Sequence, residues 1–139
     1  MKKTLLPFII HNLFFIICFS QTDYQKNHFR APLDTVLELS GNFGELRNNH
    51  FHYGFDLKTG GKEGMKILAA SEGYVSRIKV GAWGYGKVLY ITHPNGYTSV
   101  YGHLSAFNTA IGAYVKKVQY EKESFDIEIY PDSNFLPVK

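Results

Sequence analysis

Residues 88–101 read VLYITHPNGYTSVY, and this stretch decides the fold. It contains two runs rich in β-branched and aromatic residues, which are typical of strands. Between the runs lies Asn95-Gly96. This pair is a strong signal for a β-hairpin, because both residues tolerate the positive φ angles of a tight turn. We therefore predict antiparallel strands near 86–93 and 97–103.

Short strands and turn signals continue on both sides of this hairpin. Towards the N-terminus, we predict strands near 65–71 and 73–80 and a shorter one at 36–40. Towards the C-terminus, apolar residues recur at spacings of three and four, which predicts one helix over about 107–122. Alternating apolar and polar residues at 125–129 predict a further, half-buried strand. The predicted fold class is mainly β, an antiparallel sheet core with one inserted helix.

The first 20 residues differ in character from the rest of the chain. Met1-Lys2-Lys3 precedes a mostly apolar stretch at 5–19, and small residues lie near Ser20. This is the pattern of a secretory signal peptide, with predicted cleavage after Ser20. The stretch is shorter than the roughly 20 apolar residues of a membrane span, although an N-terminal anchor stays the alternative. We expect an extracytoplasmic protein with no stable membrane span after cleavage.

Composition excludes several classes of protein. With 139 residues, the chain is long enough for one domain. Without Lys2 and Lys3 the count is 13 basic against 12 acidic residues, and no basic stripe follows, so we expect no nucleic-acid partner. The single cysteine lies in the leader and excludes a disulfide framework. We assign 21–39 to an extended lead-in and 40–139 to the domain.

One short motif offers ligands for a metal ion. His52-Tyr-Gly-Phe-Asp56 has the form H-x-G-x-D, and a bend at Gly54 would let the imidazole and the carboxylate converge. These two groups suit zinc. Two ligands do not make a site, however, so the residues alone leave open a surface histidine and a turn aspartate. His50 is a weaker candidate ligand.

The histidine of Tyr101-Gly-His103-Leu follows a predicted strand. In that position it can face a cleft and act as a general base or a hydrogen-bond donor. The alternative is a half-buried histidine that caps the strand. We interpret His93 as a turn residue, and His28 has no partner nearby in the sequence.

Together these segments resemble the lysostaphin/LytM-type zinc metallopeptidases. The resemblance covers about residues 40–107 in one order and spacing. The segments that carry it are RNNHFHYGFDL at 47–57, ILAASEGYV at 67–75, GYGKV at 84–88, HPNGYT at 93–98 and YGHL at 101–104. It implies a β-sheet core with a groove, a bound Zn²⁺, and hydrolysis of peptide bonds in bacterial peptidoglycan.

Carried over by motif, His52 and Asp56 match zinc ligands, and His103 matches a catalytic histidine beside the metal. The family's third protein ligand belongs to a later H-x-H motif, but no histidine follows His103 here. We therefore expect the front part of such a peptidase, with an insertion at about 107–130, cut before its final strands and inactive or nearly so. One alternative is a non-catalytic homologue that binds cell wall or regulates another hydrolase. Another is a carbohydrate-binding β module that uses Trp83 and Tyr85.

Overall fold

The computed structural model describes residues 26–138. The predicted signal peptide, residues 1–20, lies outside this part of the chain. No helix within 26–138 is both long enough and apolar enough to cross a membrane. The elements in chain order are β1 (Leu39–Gly41), β2 (Asp56–Leu57), β3 (Gly73–Val80), β4 (Lys87–Thr92), β5 (Thr98–Tyr101), α1 (Thr109–Glu121), β6 (Ile127–Ile129) and β7 (Pro137–Val138).

The main sheet has five strands in the order β5-β4-β3-β6, with β7 also paired to β3. Every pairing in it is antiparallel, which confirms the predicted fold class. The hairpin between β4 and β5 forms where the sequence predicts it, although Gly96 and not Asn95 has the positive φ angle. The Gly96 amide donates to the His93 carbonyl at 3.0 Å, and Gly96 has a φ of 83°. Glycine permits that angle without steric cost.

Helix α1 covers one face of this sheet and confirms the predicted helix. It begins after Asn108, whose side chain accepts a hydrogen bond from the Ile111 amide at 2.9 Å and so caps the first turn. Ile111, Val115 and Val118 are its buried residues, spaced by three and four. They join a core cluster with the sheet residues Val75, Ile78, Val80, Ile127 and Ile129.

The predicted strand at 65–71 is wrong. Residues 65–72 form no strand and lie beside the lead-in instead. The Arg30 amide donates to the Ala70 carbonyl at 2.7 Å, and the Leu68 amide donates to the Pro32 carbonyl at 2.8 Å. Proline has no amide proton to return the second bond, so the pairing cannot extend into a regular ladder.

Candidate metal centre

A small two-stranded sheet carries the H-x-G-x-D motif. Strands β1 and β2 pair antiparallel, and Gly41 lies opposite Asp56. The segment between them folds back on itself, with the Gly44 amide donating to the His52 carbonyl and the His52 amide donating to the Glu45 carbonyl, both at 2.8 Å. These bonds fix the backbone of His52 close to the start of β2.

The imidazole of His52 is oriented by a backbone carbonyl. Its Nδ1 lies 3.0 Å from the carbonyl oxygen of Asn42. Because a carbonyl can only accept, Nδ1 carries the proton and Nε2 keeps its lone pair when the ring is neutral. This arrangement is the usual one for histidine ligands of metals, in which the second ring nitrogen is held by an acceptor.

Nε2 of His52 lies 3.3 Å from Oδ1 of Asp56. Two ligands at about 2.0–2.2 Å from a tetrahedral zinc ion are separated by about 3.4 Å, from the tetrahedral angle and those bond lengths. The two atoms therefore have the spacing of one edge of a zinc tetrahedron. His52 and Asp56 therefore fit two of the ligand positions around a zinc ion.

The other carboxylate oxygen of Asp56 is held by a cation. A terminal guanidinium nitrogen of Arg47 lies 2.7 Å from Oδ2 of Asp56 and 3.4 Å from Oε2 of Glu45. Gly41 packs directly beneath this ion pair, since a Cβ at that position would overlap Oδ2 of Asp56. Arg47 was not singled out by sequence reasoning, and its place in the RNNHFHYGFD segment was the only signal for it.

The side chain of His50 contacts Asn49 and Tyr53. Its Nδ1 is 2.6 Å from the side-chain oxygen of Asn49, and its ring stacks on Tyr53 at 6.4 Å between centroids. Within residues 26–138, no group of three or more His, Cys, Asp or Glu side chains is arranged to hold a metal ion.

His103 is exposed and contacts the glycine-rich loop that joins β3 and β4. Its amide donates to the Tyr85 carbonyl at 2.9 Å, and its ring meets the Tyr85 ring edge-on at 5.9 Å between centroids. Its φ of 54° is uncommon for a residue with a side chain, and such strained backbone is found often at active sites. That His103 faces the His52–Asp56 pair stays a prediction.

A family model described as Peptidase family M23 matches residues 50–120, half of the chain. The chain belongs to peptidase family M23. The matched segment includes all three candidate site residues, His52, Asp56 and His103. Peptidases of this family are generally zinc-dependent, in agreement with the spacing of the His52–Asp56 pair. Neither the curated proteins nor the solved structures gave a match to this chain.

Sequence reasoning missed a buried polar network in this M23 chain. His93 does open the hairpin turn, but its side chain is only 3% exposed. Its Nδ1 lies 2.7 Å from the Glu72 carbonyl, and its Nε2 lies 2.8 Å from Oγ of Ser99. His28 has partners across the chain, since its Nε2 lies 3.2 Å from Oγ of Ser71 and its ring meets that of His93. Both histidines therefore stabilise the junction of lead-in and sheet.

Proposed function

We propose that this chain carries part of the active site of a zinc metalloendopeptidase that hydrolyses peptide bonds in bacterial peptidoglycan. The observation that carries the proposal is the 3.3 Å separation between Nε2 of His52 and Oδ1 of Asp56 within the segment that matches the M23 peptidase family. Membership of the family supports the reaction class. Peptidoglycan as the substrate rests on the resemblance to lysostaphin/LytM-type enzymes.

His52 and Asp56 would supply a zinc ion with one neutral and one anionic ligand. Such a ligand set leaves a net positive charge on a divalent cation. The chemistry that bound zinc supplies is Lewis acidity, which polarises the scissile carbonyl and lowers the pKa of water. His52 keeps its orientation through Asn42, so the ligand atom need not reorganise when metal arrives.

His103 acts on the substrate side of the same reaction in this proposal. A neutral imidazole can take a proton from the attacking water or donate to the oxyanion that develops on the carbonyl. The exposure of His103 leaves its ring accessible to a polymeric substrate. The hydrogen bond to the Tyr85 carbonyl fixes the backbone from which that ring projects.

The segment that joins β1 to β2 and carries His52 also exposes apolar side chains. Phe43, Phe51, Tyr53 and Phe55 are all largely exposed there. A contiguous exposed apolar patch marks an interaction site more often than scattered exposed residues do. We infer that the peptide substrate lies along this segment. A cell-wall substrate requires an extracytoplasmic location, which the predicted signal peptide supports.

Residues 26–138 provide two matching zinc ligands and no third one of the family type. Catalytic zinc sites usually have three protein ligands and an open position. We infer that this chain by itself binds zinc weakly and turns over slowly.

The test is a zinc titration of the chain in which the imidazole NMR signals report binding. It is combined with an assay for amino groups newly released from peptidoglycan. We expect zinc to shift the signals of His52, and His52→Ala and Asp56→Ala to abolish binding. His50→Ala is the matched control and leaves binding unchanged. Absence of any zinc effect on His52 would overturn the proposal.

The presence of only two family-type ligands in the described part of the chain favours a second candidate, a non-catalytic homologue that binds cell wall. Sedimentation with peptidoglycan separates the two. A pure binder sediments equally well without zinc and as the His52→Ala variant, and releases no amino groups at any zinc concentration. A peptidase-derived site gives sedimentation or hydrolysis that depends on His52 and on metal.

A further inference from the structure

The Arg47–Asp56 ion pair uses only one oxygen of the carboxylate. The terminal nitrogen of Arg47 lies 2.7 Å from Oδ2, while Oδ1 faces His52. The Nε of Arg47 is buried and has no hydrogen-bond partner. The guanidinium therefore does not form the two parallel bonds of a bidentate Arg–carboxylate pair, which would occupy both oxygens.

The backbone of β1 holds this pair in place. Gly41 is buried opposite Asp56, and a Cβ built on it would overlap Oδ2 of Asp56 and crowd the guanidinium of Arg47. The same terminal nitrogen of Arg47 also lies 3.4 Å from Oε2 of Glu45. The carboxylate thus has one oxygen fixed against Arg47 and Gly41, and its rotation about the Cβ–Cγ bond is restricted.

We propose that Arg47 is a positioning residue that reserves Oδ1 of Asp56 for the metal and keeps Oδ2 away from it. The inference rests on the zinc site of the proposed function. A carboxylate held in this way is a monodentate ligand, which suits the four-coordinate geometry of zinc. A carboxylate that binds through both oxygens is typical of larger cations with more ligands, such as Ca²⁺.

The positive charge of Arg47, taken by itself, weakens the binding of a metal ion. A guanidinium close to a bound cation repels it, so removing only the charge would strengthen metal binding. A positioning role predicts weaker zinc binding, because Asp56 would lose its fixed orientation. The direction of the change therefore separates the two effects, and a purely structural ion pair would change stability without changing the coordination of the metal.

The experiment compares the 139-residue chain with its Arg47→Gln and Arg47→Lys variants. Zn²⁺ affinity is measured by NMR titration of His52, and the visible spectrum of bound Co²⁺ reports the coordination number. Arg30→Gln is the matched control, because Arg30 forms an ion pair with Asp34 of the same 2.7 Å length away from the site.

We expect Arg47→Gln to lower zinc affinity about 10–100-fold, the usual cost of losing a group that orients a ligand. The Co²⁺ spectrum should weaken towards that of a higher coordination number. The zinc affinity of Arg47→Lys should lie between those of the parent chain and Arg47→Gln, since lysine keeps one charged donor for Oδ2 but on a flexible stem that holds the carboxylate less firmly. Arg30→Gln should change neither quantity.

Unchanged or tighter zinc binding by Arg47→Gln, with an unchanged Co²⁺ spectrum, would overturn the positioning role and leave the zinc site intact. If zinc leaves the His52 signals of the parent chain unaffected, the proposed function fails together with this inference. The unfolding midpoint of each variant in urea shows whether a loss of binding reflects loss of the fold.

Discussion

Gly41 lies directly opposite Asp56 in the β1–β2 pair, and the space that its side chain would fill is occupied by the carboxylate of Asp56. Gly41→Ala must therefore displace that carboxylate or separate the strands. We expect weaker zinc binding, measured by titration, together with a lower free energy of unfolding.

Gly81→Ala is the control for this substitution, because a Cβ there meets its nearest atom at 3.8 Å, an ordinary contact. If Gly41→Ala binds zinc as well as the parent chain, the close approach at Gly41 has no role in orienting Asp56.

His103 is expected to share one cavity with His52 and Asp56. Paramagnetic Co²⁺ bound by the pair should then broaden the imidazole signals of His103 strongly. The signals of His93, which is buried against Glu72 and Ser99, should broaden less. Undisturbed His103 signals at saturating Co²⁺ would leave it as a strand-capping residue and remove its catalytic role.

His50 should be dispensable for metal binding. The Nδ1 atom of its imidazole lies 2.6 Å from the side-chain oxygen of Asn49, and its ring stacks on Tyr53. We expect His50→Ala to bind zinc as weakly as the parent chain and to show the same slow release of amino groups from peptidoglycan. Stoichiometric zinc and clear hydrolysis that His50→Ala abolishes would show instead that His50 completes the site.

The parts of the fold that could be predicted are those fixed by local sequence. The Asn95-Gly96 turn defines the β4–β5 hairpin, and Asn108 with the apolar spacing after it defines α1. The strand predicted at 65–71 failed because its partner is the lead-in at Pro32, which no local pattern indicates. The structure of residues 65–71 therefore depends on long-range contacts with the lead-in.

In the candidate site, too, the residues linked by local sequence could be predicted and those linked by long-range contacts could not. His52 and Asp56 could be found from their spacing, since four residues with a central glycine bring them together locally. Arg47 and Gly41 could not be identified in this way, because arginine and glycine are not specific to metal sites. Their contacts with Asp56 also span 9 and 15 positions of the chain. The burial of His93 likewise depends on Phe29, whose ring packs against it from the lead-in.

Stability should depend on pH through Glu128 and Tyr130 on the exposed face of the main sheet. The Tyr130 hydroxyl donates to Glu128 at 2.5 Å, and Arg77 lies 2.6 Å from the same carboxylate. The hydrogen bond from Tyr130 and the charge of Arg77 lower the pKa of Glu128, and the bond to Glu128 raises the pKa of Tyr130.

A lowered carboxyl pKa stabilises the fold above the ordinary glutamate value of about 4.3, and the effect is lost as pH falls through the folded value. A raised tyrosine pKa stabilises it below about 10, and the effect is lost as pH rises through the folded value. The difference in urea stability between the parent chain and Tyr130→Phe should therefore be largest near neutral pH and shrink at both extremes. Tyr120→Phe, at an exposed tyrosine of α1, is the control, and a difference independent of pH would contradict this account.

Gly112→Ala should stabilise the chain. Gly112 lies inside α1, and a Cβ there meets its nearest atom, the Phe107 carbonyl oxygen, at 4.0 Å. Glycine in a helix interior costs about 0.5–1 kcal/mol relative to alanine, because it loses more backbone entropy on folding. We expect the free energy of unfolding to rise by that amount, seen as a higher urea midpoint with an unchanged m-value. For Gly96→Ala the free energy of unfolding should fall by about 1–2 kcal/mol, because its φ of 83° is strained for any residue with a Cβ.

A lower urea midpoint for Gly112→Ala would contradict this prediction. It would mean that the apolar groove between α1 and the sheet, which Gly112 lines together with Phe107 and Val115, has no room for a methyl group.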